Sequence, residues 1–134
     1  MKVEWALLCN SALPHQDGTV SMLGAGLVQL AVASVPHPIE FAVVTRVQID
    51  PTDLPATVPH RVDFLGAEGE PLGSLVGELN FGLPPDSVSP VWGNVVQTMI
   101  GMIGSAGNQS IVVTVGDLPA VTCPLRVHLL PPAS

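Results

Sequence analysis

Four histidines, two cysteines and eleven carboxylates are the side chains in this 134-residue sequence that could move protons, bind metals or act as nucleophiles. Dedicated metal sites need ligands at short, regular spacing, yet His15, His37, His60 and His128 are scattered singly, with no His-x-x-x-His or Cys-x-x-Cys pair. Each histidine reads as a surface or loop residue. An acid–base enzyme would need a spatial pair such as His128 with Asp117 or His60 with Asp63, set in a cleft that perturbs one pKa. His15 also lies near Asp17. Asp50-Pro51-Thr52-Asp53 lacks the Asp-x-Asp-x-Asp-Gly spacing of a calcium loop and reads as a turn ending a strand. Glu68 and Glu70 flank Gly69 in an expected hairpin loop, and they and Glu40 read as solvated charge.

The nucleophile elbow of serine hydrolases, Gly-x-Ser-x-Gly, is missing; Gly73-Ser74-Leu75-Val76-Gly77 and Gly104-Ser105-Ala106-Gly107 have the wrong offsets. Gly24-Ala25-Gly26 lacks the third glycine of a dinucleotide fingerprint, and no phosphate loop with Gly-Lys-Ser/Thr occurs. No catalytic, cofactor-binding or metal-binding residue is therefore assigned, and the chain is expected to act without catalysis.

The elements that would position these groups follow from composition. The formal charge of −7 disfavours nucleic acid held by phosphate neutralisation, and anionic membrane surfaces likewise. Hydrophobic residues make up 47% against 11% charged, which excludes disorder and implies a folded, single-domain chain over residues 1–134. Charge is so sparse that part of the surface is expected to be covered in an assembly. Residues 18–39 and 87–116 contain no Asp, Glu, Lys or Arg. Gly, Pro, Gln and Asn interrupt both stretches, so neither reads as a membrane span. Glu4 breaks the short apolar run near Met1-Lys2, which argues against an export signal and for the cytoplasm. Cys9 and Cys123 are then expected to be reduced, buried hydrophobes.

Period-two alternation is clearest over residues 39–49, where Ile39, Phe41, Val43, Thr45, Val47 and Ile49 face one way, and Glu40, Ala42, Val44, Arg46 and Gln48 form a wet face. Similar runs occur at Val3, Trp5, Leu7, Cys9; Val62, Phe64; Leu75 to Phe81; Ile111, Val113, Val115; and Val121 to Leu129. Turn signals punctuate them at Asp17-Gly18, Pro51-Thr52-Asp53, 66–69, Pro84-Pro85-Asp86, Gly107-Asn108 and Gly116-Asp117. The pattern predicts an all-β fold, a single antiparallel β-sandwich of about seven to nine strands, immunoglobulin-like. Gly24-Ala25-Gly26 divides residues 19–32 into two short strands or one bent strand crossing between sheets. Residues 91–103 fit a strand better than the alternative, a short helix. Trp5, Phe41, Phe64 and Phe81 lie on expected inward faces, whereas Trp92, between Pro90 and Gly93, suits either the core or a partner.

Trp5-Ala6-Leu7-Leu8-Cys9, followed by Asp17-Gly18-Thr19-Val20-Ser21-Met22-Leu23-Gly24-Ala25-Gly26, resembles a group of small uncharacterised bacterial proteins. These begin with a "WALLC" strand and a second strand of the form G-x-x-S-x-L-G-A-G. The resemblance extends through an amphipathic strand like 39–49 to paired strands like 111–115 and 121–129, and it implies a β-sandwich with no assigned activity. Such hairpins often carry Gly-x-Tyr, whereas this chain has no Tyr and reads Gly107-Asn108-Gln109-Ser110. The expected function is that of an interaction or structural domain, with a protein partner or self-association into a homo-oligomer. The interface candidates are Gly24, Gly26, Trp92, Val96, Ile100 and Met102. A small apolar ligand between the sheets is the alternative, and a small hydrolase the least favoured.

Overall fold

Alternation of apolar and polar residues, broken by Gly and Pro, folds here into strands throughout. The protein is described by a computed structural model over residues 1–82 and 91–131. Its strands are β1 (Lys2–Cys9), β2 (Ser11–Pro14), β3 (Val20–Leu23), β4 (Gln29–Val32), β5 (His37–Ile49), β6 (Ala56–Leu65), β7 (Pro71–Phe81), β8 (Val91–Ile103), β9 (Gly107–Val115) and β10 (Val121–Leu129). A 3-10 turn at Pro51–Asp53 ends β5, where the Pro-Thr-Asp signal stood. The turn signal at Pro84-Pro85-Asp86 and the last three residues lie outside the described residues.

Two sheets form the sandwich. One has the order β1-β5-β8 and the other β4-β10-β9-β6-β7, while β2 and β3 make a separate hairpin. The chain crosses between layers from β4 to β5, from β5 to β6, from β7 to β8 and from β8 to β9. This is the immunoglobulin-like arrangement, with β1, β5 and β8 as one layer and β10, β9, β6 and β7 as the other. The expected all-antiparallel sandwich needs one correction. β4 runs parallel to β10, from Gln29 beside Arg126 to Val32 beside Leu129, and with the extra hairpin this raises the strand number to ten among the described residues.

Between the layers, Phe41 and Phe64 meet edge to face at 5.3 Å and 82°. Such a pair contributes about 0.5–1.5 kcal/mol beyond the area it buries. Val43, Val47 and Ile49 from β5, Val62 from β6, Ile111, Val113 and Val115 from β9, and Leu125 from β10 complete the buried centre. Residues 91–103 form a strand, not a helix, held by a ladder to β5 that runs unbroken from Val91 opposite Ile49 to Ile103 opposite His37. Two glycines make this strand fit. A Cβ at Gly93 would stand 2.8 Å from the Phe81 ring, and one at Gly101 2.9 Å from the Phe64 ring.

Three expectations change. The outward face of β5 is not wet along its length, because Ala42 and Val44 are buried with Cys9 beneath the β2–β3 hairpin, packed by Ala12 and Val20. Trp5 belongs to this outer cluster and not to the central core. A register shift between Val3 and Trp5 reverses the alternation, so that Val3, Ala6 and Leu8 point inward while Trp5, Leu7 and Cys9 point outward. Gly107-Asn108 is the start of β9 and not a turn.

Candidate interaction surface

The outer face of the three-stranded sheet gathers most of the interface candidates. Side chains alternate across a strand, so Trp92, Val96, Ile100 and Met102 share the face of β8 opposite that of the buried Met99 and Ile103. Ile100 is 73% exposed, Met102 49% and Trp92 46%. Val96 is different: it packs against the patch of Cys9, Ala42 and Val44 that the hairpin covers. The hairpin thus closes one part of an apolar sheet face, and beyond it Ile100, opposite the exposed Glu40 of β5, and Met102, opposite Pro38, stand uncovered.

Gly24 and Gly26 lie elsewhere and do another job. Their φ angles of 66° and 82° suit glycine, and they turn the chain out of the hairpin toward β4. A Cβ at Gly24 would collide with the Asn10 side chain, while the Gly26 and Leu27 N–H groups donate to the Leu8 carbonyl. The expected crossing between sheets is therefore present, and these glycines are turn residues and not part of the β8 row. At the hairpin tip Gly18 adopts φ 87°, and the Asp17 carboxylate accepts hydrogen bonds from the Thr19 N–H at 2.9 Å and hydroxyl at 2.6 Å. Those bonds hold the Asp17 carboxyl below its ordinary pKa. His15 Nε2 and Ser21 Oγ meet at 2.6 Å across the exposed hairpin. With its carboxylate bonded to Thr19, Asp17 serves the turn.

The other end of the face is tied together by a group that sequence spacing does not reveal. Glu4 accepts the Trp92 indole N–H through one carboxylate oxygen and the Arg46 Nε–H through the other, both at 2.9 Å. The Arg46 guanidinium lies 5.9 Å from the centre of the Trp92 ring. The indole bond, followed by the Arg46 guanidinium, lowers the Glu4 pKa. Asn94 donates to the Gly18 carbonyl at 2.8 Å, which anchors the hairpin tip to β8. The only signal available in the sequence was the placement of Trp92 and Asn94 on one strand face.

The residues weighed for catalysis do not converge. His60 and Asp63 are three apart on one strand and point to opposite faces: His60 is buried, while Asp63 binds Arg61 Nε at 2.8 Å and Ser74 Oγ at 2.9 Å. The bond from Arg61, and then that from Ser74, lowers the Asp63 pKa. His60 also corrects the reading of every histidine as a surface or loop residue. Its Nε2 has no partner among the described residues, and burial pushes its pKa below the ordinary histidine value. His128 and Asp117 stand at opposite ends of the β9–β10 hairpin. Glu70 accepts the Glu68 N–H within its turn. Among the described residues, no three His, Cys, Asp or Glu side chains are placed to share a metal ion. Cys9 and Cys123 are free thiols, donating to the Ala42 and Ala6 carbonyls, and burial raises both pKa values.

Among the described residues no helix is long and apolar enough to cross a membrane. No curated protein matches the chain. Residues 4–128 match the model of a family of unknown function, DUF6941, and since this covers most of the sequence the chain belongs to that family.

Proposed function

We propose that this protein is a non-catalytic interaction domain whose working surface is the outer face of the three-stranded sheet along β8. One observation carries the reading: Trp92, Ile100 and Met102 stand exposed in one row on a strand with no charged residue. Isolated exposed apolar residues are ordinary, but a row beside an already covered apolar patch is a surface suited to a partner. A bacterial cytoplasm is the setting we favour, consistent with two free thiols that lie apart in the fold.

The test is a photo-crosslinking side chain placed at Ile100 in living cells, with Val76 as the control. Val76 is 72% exposed but lies on β7, in the other sheet. A discrete protein adduct from position 100 and none from position 76 is expected. Equal labelling at both sites, or none at either, overturns the reading.

The small-ligand alternative has one observation in its favour, an open cleft of about 410 Å³ at the end of the sandwich lined by Val58, Val115 and Leu118, with Asp53 and Asp117 at its edge. It lies at the end of the sandwich, whereas the centre between the sheets is filled by Phe41, Phe64 and their neighbours. A small molecule retained by the purified chain, and lost on Val58→Asp with the fold intact, would move the assignment there.

A further inference from the structure

Edge strands with open backbone groups invite pairing, and proteins blunt them with charge, proline, bulges or shortness. The edges of these two sheets use such devices with one exception. β4 is four residues long, β1 carries Lys2, Glu4 and a register shift, and β7 starts at Pro71, carries Glu78 and pairs through a shifted register. β8 has none of these. It is 13 residues long, has no proline and no charge, and pairs with β5 without a bulge. Among the described residues no strand pairs with its other edge. β7 passes nearby in the opposite layer at Gly73, where a Cβ would lie 3.4 Å from the Ile100 carbonyl oxygen, without joining the ladder.

Resting on the interaction reading, we propose that the occupant of this edge is β8 of a second copy of the chain, paired antiparallel about a two-fold axis at Gln97. The register is self-complementary. Centring on Gln97 places Trp92 opposite Met102 of the other copy, Asn94 opposite Ile100 and Val96 opposite Thr98, so the exposed aromatic ring meets the exposed thioether. β8 is the long edge strand that a like-charged copy can meet without opposing charges, since the other uncharged edge, β4, is four residues long. Each chain carries −7, so two copies can approach closely only where neither presents like charges, and every cross-strand pair here is uncharged. The two three-stranded sheets become one six-stranded sheet, and an isologous contact of this kind closes at two copies without extending into a fibre.

Sedimentation equilibrium on the full chain tests this, together with two cysteine variants that read the register. The wild type is expected as a dimer, and Ile100→Glu as a monomer with an unchanged circular dichroism spectrum. Gln97→Cys is expected to give a disulfide-linked dimer under mild oxidation, because residue 97 faces its own copy, whereas Met102→Cys, facing Trp92, is not. A wild type that remains monomeric at about 0.1 mM overturns the proposal, as does equal cross-linking of the two cysteine variants. If that monomer still gives a discrete adduct from position 100 in cells, the interaction reading survives with a different partner; if position 100 gives none, both fall.

Discussion

Val44 separates what its strand pattern suggests from how the chain folds. Alternation along β5 places it on the solvent side, where truncation to alanine changes stability by no more than about 0.5 kcal/mol. In the structure it is fully buried between the sheet and the β2–β3 hairpin, with Cys9, Ala42 and Val20. Removing two methyl groups from such a site loses about 1.6 kcal/mol of transfer free energy, and incomplete collapse of the cavity raises the cost to about 2–3 kcal/mol. For a chain of this length, roughly 3–5 °C accompanies each kcal/mol, so Val44→Ala should lower the melting temperature by about 6–15 °C. Ile100→Ala, on the same face beyond the hairpin, should leave it within about 2 °C when measured on the monomer. Differential scanning calorimetry of both variants, and of Val20→Ala alone and combined with Val44→Ala, makes the comparison. The hairpin contact requires the double variant to depart from additivity by about 0.5 kcal/mol or more. A Val44→Ala shift below about 2 °C with additive energies would refute the covering of this face.

Urea unfolding should show stability falling as pH is lowered from about 7.5 to 5.5: burial depresses the folded pKa of His60, the unfolded chain takes up the proton first, and the contribution present above about pH 6.5 is lost toward the folded value. His60→Leu should flatten that slope; an unchanged slope would show that another group is responsible. The carboxyls of Glu4, Asp17 and Asp63, lowered in the fold, contribute stability that is lost only at more acidic pH, as each titrates from its ordinary value down through its folded one. Gly101→Ala forces the Phe64 ring to shift and should cost about 1–3 kcal/mol in chemical denaturation, whereas Gly77→Ala, with no atom near its built Cβ, should cost less than about 1 kcal/mol. Cys9 and Cys123 should react with a maleimide only on unfolding, and reductant should leave the melting temperature unchanged; a clear drop would mean a disulfide.

Much of this architecture was legible because period-two alternation is a local property. β5 and β10 stand where the pattern puts them, β7 and β9 contain the expected runs but begin four residues earlier, and Trp92, Val96, Ile100 and Met102 share a face because they lie an even number of residues apart. What escaped depends on contacts distant in sequence or on one displaced residue. The irregular register between Val3 and Trp5 turns Trp5 outward, and no side-chain type marks it. The burial of Ala42 and Val44 depends on a hairpin some thirty residues earlier in the chain folding back over them. The same hairpin covers Val96, which sequence grouped with the exposed residues. Glu4, Arg46 and Trp92 come from three strands, so their junction appears only once the sheet order is known.

Native mass spectrometry of the tagged chain recovered from its own cells, wild type beside Ile100→Glu, tests the interaction face most directly. The account predicts that the wild type is recovered in a species heavier than the 13.9 kDa chain and that Ile100→Glu returns as the single folded chain. Recovery of both proteins only as single chains, or in the same heavier species, would contradict it.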